Sequence, residues 1–153
     1  MGKGGARVHD LSSDEIFAHV ISSNPEYIFI QIGGNDIVSP SSVPIVQQVK
    51  GIAQGIRELV DRFIDWGIKH IFVGEVFYRE KPRGISLLDY KKIRSKVNRA
   101  LYRNLDRVDR ASFIHFPSIG HARYLVDGTH LDYQGYQIYV KVIIDRLKLV
   151  IEG

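Results

Sequence analysis

Apolar residues recur along this chain in two rhythms: short near-continuous runs, and longer stretches in which they return every three or four positions. Ser12-Ser13-Asp14-Glu15 reads as a helix start, with Ser12 and Glu15 at capping-box spacing. Ile16, Phe17, Val20 and Ile21 then share one helical face. The helix should stop near Ser22-Ser23-Asn24-Pro25, because a residue preceding proline avoids the helical region. Tyr27 to Ile32 is an apolar run of the kind that forms a buried parallel strand, and Gly33-Gly34 ends it.

Pro40 to Pro44 reads as a loop. From Val46, the residues Val49, Ile52, Ile56, Leu59, Val60 and Phe63 mark an amphipathic helix to about Trp66, with Gly67 as its stop. His70 to Gly74 is a second buried strand, and Glu75 to Ile85, with Pro82 and Gly84, a surface loop. Tyr90, Ile93, Val97, Leu101, Leu105 and Val108 mark a third helix. Ser112 to Phe116 is a third strand, Pro117 to Leu131 a loop, and Tyr139, Ile143, Leu147 and Val150 the final helix. Strands alternating with helices predict an α/β fold with a parallel sheet covered on both faces. In such sheets, ligand sites form beyond the carboxyl ends of the strands. The order of strands in the sheet is not legible from the pattern.

Composition narrows the function classes. The 153 residues fit one domain and contain no cysteine, which excludes disulfides, thiolate catalysis and cysteine-ligated zinc. No apolar stretch is long enough for a membrane span, and none follows Met1-Gly2-Lys3-Gly4-Gly5 as in a signal peptide, so an intracellular location is the default expectation. The net charge of +4 is unevenly placed: Arg79 to Arg110 holds eleven Lys/Arg against four Asp/Glu. Lys92, Lys96, Arg99, Arg103 and Arg107 form a basic stripe beside the third helix's apolar face. Such a stripe is commonly a solvated helix face, with a nucleic-acid surface as the weaker alternative.

Two short strings carry candidate chemistry. Asp127-Gly128-Thr129-His130 puts a carboxylate three residues before an imidazole; the aspartate can orient the ring and stabilise the imidazolium formed when His130 takes a proton. Gly33-Gly34-Asn35-Asp36 puts Asn35 at a strand end, where its side-chain amide can face a developing oxyanion. Gly34 lets a substrate approach the backbone, and Gly4 or Gly5 is a candidate backbone donor to the same hole. The plainer reading of each is a turn: Asp-Gly and Gly-Asn-Asp strings often close loops.

With these residues the chain resembles the SGNH/GDSL hydrolase superfamily. Gly33-Gly34-Asn35-Asp36 is similar to its Gly-x-Asn-Asp block, Asp127-Gly128-Thr129-His130 with Gly135 to its terminal Asp-x-x-His block, and Gly4 or Gly5 to its glycine block. The resemblance covers nearly the whole chain as a single domain, 1–153. It implies a flavodoxin-like three-layer α/β/α sandwich and hydrolysis of small esters, thioesters or acetylated sugars with no metal or other cofactor. In that scheme Asp127 and His130 are catalytic, and Asn35, Gly34 and Gly5 form the oxyanion and substrate-binding side. The chain also resembles esterase-like domains encoded by animal retrotransposons.

One block of the family is missing. The superfamily opens with a strand ending in Gly-Asp-Ser, whose serine is the nucleophile, and no Gly-Asp-Ser occurs here. Ser12 and Ser13 read as helix caps, and Ser39, Ser41 and Ser42 lie in the loop after Asn35. The expectation is an N-terminally incomplete domain of weak or absent esterase activity. The alternative is a non-catalytic binding or accessory domain, with the basic helix facing nucleic acid. Without the opening strand, the Tyr27–Ile32 strand becomes an edge, which predicts self-association or reliance on a segment supplied by a longer product.

Overall fold

A computed structural model describes residues 5–119 and 124–153 of the chain. The glycine-block candidate Gly4 lies outside the described residues, as does part of the loop expected from Pro117 to Leu131. Along the chain run α1 (Val8–Leu11), α2 (Asp14–Ser22), β1 (Tyr27–Ile30), α3 (Ile45–Trp66), β2 (His70–Gly74), α4 (Leu87–Leu105), β3 (Ala111–Ile114) and α5 (Tyr133–Glu152). Short 3-10 turns at Gly34–Asp36 and Pro117–Ile119 follow β1 and β3. The three strands form one parallel sheet in the order β1-β2-β3, with Ile28 opposite Ile71 and Val73 opposite Phe113.

The pleat sorts the apolar strand residues into two cores. Ile28, Ile30, Ile71, Val73 and Ala111 face α3 and α4, while Tyr27, Phe29, Phe72 and Ile114 face α5. The sheet is thus covered on both sides, as an α/β/α sandwich requires. Ile56 and Val60 of α3 and Ile93 and Val97 of α4 are fully buried between the helices and the sheet. Each such side chain contributes about 2 kcal/mol of hydrophobic stabilisation.

Caps set the helix starts more sharply than periodicity did. The Ser13 hydroxyl, not that of Ser12, caps α2 by accepting from Ile16 N at 3.3 Å. Ser12 instead closes the unexpected helix α1, its hydroxyl donating to the Val8 carbonyl at 3.2 Å. Ser86 accepts from Asp89 N and so starts α4 three residues before Tyr90. Asp132 accepts from Gly135 N at 2.7 Å and starts α5 at Tyr133.

β1 is an edge of the sheet. Beside it runs a groove of about 920 Å³, lined by Ile28, Ile30 and Ile32, by Ile16 and Val20 of α2, by Leu59 and Phe63 of α3, and by Tyr139 of α5. Tyr133, Tyr136, Ile144, Leu149 and Ile151 of α5 are exposed. Among the described residues, no helix is long and apolar enough to cross a membrane.

Candidate active site

β1 stops at Ile30 because its neighbour changes. Gln31 leaves the ladder, and its side-chain Nε2 donates to the Glu75 carbonyl at 2.7 Å, tying the ends of β1 and β2 together. Gly33 then turns the chain with φ +117°, a conformation that suits glycine. A Cβ there would come within 2.9 Å of Val76 Cγ2. Asp36 fastens the turn from below, its carboxylate accepting from Val8 N at 3.1 and 3.3 Å. Burial raises the Asp36 pKa, against the lowering pull of that N–H.

This turn presents Asn35 with its amide fixed at both ends. Nδ2 donates to the Ala6 carbonyl at 3.0 Å, and Oδ1 accepts from Arg79 Nη2 at 3.0 Å. A carbonyl only accepts and a guanidinium only donates, so the two partners define which end of the amide is which. One N–H of Nδ2 is left for another acceptor.

The second wall is the turn before α5. His130 Nδ1 lies 2.7 Å from Asp127 Oδ2, while Asp127 Oδ1 accepts from the backbone N–H of Thr129 and of His130 at 3.0 and 2.8 Å. The His130 side-chain hydrogen bond, then the two backbone ones, hold the Asp127 carboxyl below the usual carboxylate range. A carboxylate accepting at Nδ1 selects the tautomer in which Nε2 is the free proton acceptor. The imidazole is 78% exposed.

Asn35, Gly34, Gly5, Asp127 and His130 line one cleft of about 620 Å³, together with Gln31, Phe77, Arg79, Lys81, Arg83 and Thr129. The five site residues expected from the sequence, drawn from three separate segments, are therefore brought to a single place, beyond the carboxyl end of β1. No serine lines the cleft among the described residues; Thr129 contributes its one aliphatic hydroxyl. Ser12 and Ser13 are occupied at α1 and α2, and the Ser39 and Ser41 hydroxyls bond each other at 2.8 Å.

Two features escaped the pattern analysis. The first is the 79–83 loop, which bridges the walls: Arg79 holds Asn35, and the N–H groups of Glu80 and Lys81 both reach the Gly128 carbonyl, at 2.7 and 3.3 Å. The second is Glu75, only 3% exposed, which accepts from Phe116 N at 2.9 Å and His115 Nδ1 at 2.7 Å with Arg94 Nη2 at 3.8 Å. Both rest on pairs about forty residues apart, for which local spacing carries no signal. Among the described residues, no group of three or more His, Cys, Asp and Glu side chains could hold a metal ion.

No family model and no curated protein sequence matches the chain. Solved structures do. A carbohydrate esterase family 3 protein from Talaromyces cellulolyticus superposes with a TM-score of 0.72 at 14% identity, over 99% of this chain and 72% of its own. Axe2, an acetylxylan esterase from Geobacillus stearothermophilus, gives 0.62 at 18% identity over 92% and 67%. A putative platelet activating factor from Streptococcus pneumonia gives 0.66 at 23% identity over 94% and 69%. The chain has the fold of the SGNH-type esterases. It spans about two thirds of the length of these structures.

Proposed function

We propose that the cleft is an acyl-ester pocket of the SGNH type. His130 serves as general base and acid, Asp127 orients it, and Asn35 donates to the oxyanion, with Gly34 and Gly5 on the substrate side. The observation that carries this reading is the Asp127–His130 pair at 2.7 Å on the same cleft wall system as an Asn35 amide with one N–H to spare. Among the solved neighbours, Axe2 is an acetylxylan and acetyl-xylooligosaccharide esterase, and its catalytic mutants replace a serine and an aspartate by alanine. A small ester, such as an acetylated sugar, is the corresponding substrate class.

Turnover by this chain alone is weak or absent. With no serine lining the cleft among the described residues, His130 can at best activate water, and loss of the nucleophile in a hydrolase triad costs on the order of 10⁶ in kcat. The assay is hydrolysis of p-nitrophenyl acetate by the purified chain. No saturable turnover, and no change on His130→Ala, is the expected result. Saturable hydrolysis abolished by His130→Ala would refute the inactivity while keeping the pocket.

The β1 edge supports a partner reading of the same domain. An apolar edge strand beside an apolar groove can pair with another strand, so self-association is expected. Sedimentation of a stable monomer at all concentrations contradicts it. A nucleic-acid accessory role has one observation in its favour: Lys96, Arg99 and Arg103 of α4 flank a shallow groove with Lys50 of α3. Salt-independent or absent binding of single-stranded RNA removes that reading.

A further inference from the structure

The cleft carries a charge pattern that an acid–base pair does not need. Arg79, Lys81 and Arg83 all line it, and the single lining carboxylate, Asp127, already serves His130 and two backbone N–H groups. Among the described residues, five other Lys and Arg side chains are ion-paired, including Arg57 with Asp61, Arg62 with Asp14 and Lys69 with Glu26. Among the described residues, none of the three cleft cations forms an ion pair. Three uncompensated cations around one concavity raise the local concentration of anions.

Two of these cations are anchored. The Arg79 guanidinium is hydrogen-bonded to Asn35 and lies 5.9 Å over the Tyr90 ring. The backbone of Lys81 is fixed to the Gly128 carbonyl, and its stem packs on Gly128, where a Cβ would come within 3.1 Å of Lys81 Cγ. The Arg79 guanidinium is thereby fixed at the Asn35 wall, and the Lys81 stem at the turn that carries His130. Guanidinium groups fit planar carboxylate or phosphate oxygens in pairs, and an ammonium adds a point charge.

We propose that this cleft takes an anionic ligand: an ester whose alcohol part bears a carboxylate or a phosphate, with that anion against Lys81 and Arg83. The ester half of this statement rests on the acyl-ester reading of the cleft; the anion half rests on the cations alone.

The test is a nuclear magnetic resonance titration of the isotope-labelled chain with glucose, glucuronic acid and glucose 6-phosphate, which share a ring and differ at one carbon. At least one anion is expected to bind about tenfold or more tightly than glucose, a difference of about 1.4 kcal/mol. It should shift the backbone amides of the 79–83 loop and the His130 ring, and the stronger of the two anions identifies the preferred group. The double variant Lys81→Gln/Arg83→Gln, altered at two exposed side chains, should lose about fivefold or more in affinity for that anion and none for glucose. Binding should weaken as ionic strength rises. Equal binding of all three sugars, no binding of either anion, or an unchanged affinity in the double variant overturns the proposal. No hydrolysis is read in the titration, so a failed p-nitrophenyl acetate assay leaves its outcome standing, and the reverse holds as well.

Discussion

Arg79 donates to Asn35 across 44 positions of sequence, at 3.0 Å, and thereby decides which end of the asparagine amide faces the cleft. The Ala6 carbonyl holds the other end. The oxyanion-type donor is thus positioned by a loop residue and by the segment before α1, not by its own turn alone.

Replacing Arg79 by alanine should release one end of that amide. The expected stability loss is about 1 kcal/mol, the usual net value of a single partly buried hydrogen bond. The Asn35 side-chain NH₂ resonances should collapse toward their solvent-averaged positions. Urea unfolding gives the first quantity and a proton–nitrogen spectrum the second; unshifted resonances would show that Ala6 suffices.

The two glycines of the turn should respond differently to alanine. At Gly33 the substitution meets both φ +117° and Val76 Cγ2 at 2.9 Å, and should cost roughly 2 kcal/mol. At Gly34 the obstruction is the far end of Arg79, with Nη2 at 2.6 Å, which can swing aside. Gly34→Ala should therefore cost no more than the Arg79–Asn35 hydrogen bond, about 1 kcal/mol and less than Gly33→Ala, while moving the Arg79 side-chain signals. A Gly34→Ala loss as large as that of Gly33→Ala contradicts the assignment.

Asp36 and Asp127 should titrate on opposite sides of the free-residue value of about 3.9. Burial raises Asp36, so its native state binds the proton more tightly than the unfolded chain does. Its contribution to stability is complete below the unfolded value and is lost as pH rises through the folded one. The His130 hydrogen bond lowers Asp127, so its contribution is present above the unfolded value and is lost as pH falls through the folded one. Carboxyl carbon shifts followed across acid pH would separate the two midpoints, and a shared midpoint would contradict both environments.

Glu75 should matter more for stability than either carboxylate of the turns. It is buried, and it joins the ends of β2 and β3 through Phe116 N and His115. Glu75→Ala leaves the Phe116 N–H and the Arg94 charge without that partner and should cost about 3 kcal/mol. Glu75→Gln keeps an acceptor and should cost less than half as much. Equal losses in urea unfolding would mean that the charge, not the hydrogen bond, is what counts.

Sequence patterning reached the architecture because the two rhythms are local. Ile71 to Val73 are all buried, so the apolar run and β2 coincide. The same rule overran β1 by two residues, since Ile32 is apolar but Gln31 has already traded the ladder for a side-chain bond to Glu75. Ser12 and Ser13 are equally good caps by type, and only the geometry of the preceding short helix assigns the role to Ser13. In the cleft, Asp127 with His130, and Asn35 with its glycines, were legible because each is a contiguous string. Lys81 and Arg83 were not, because their importance comes from what the fold sets opposite them. Their loop reads as an ordinary polar connector until Gly128 is seen to hold it.

That single carbonyl has a consequence for how the pocket can change over time. Because Gly128 accepts from both Glu80 and Lys81, the cation loop and the acid–base turn are mechanically one piece. A length change in either would move the other, shifting His130 relative to Asn35. Lineages that alter this pocket's selectivity should therefore swap side chains on the loop and keep its length, or replace both segments together.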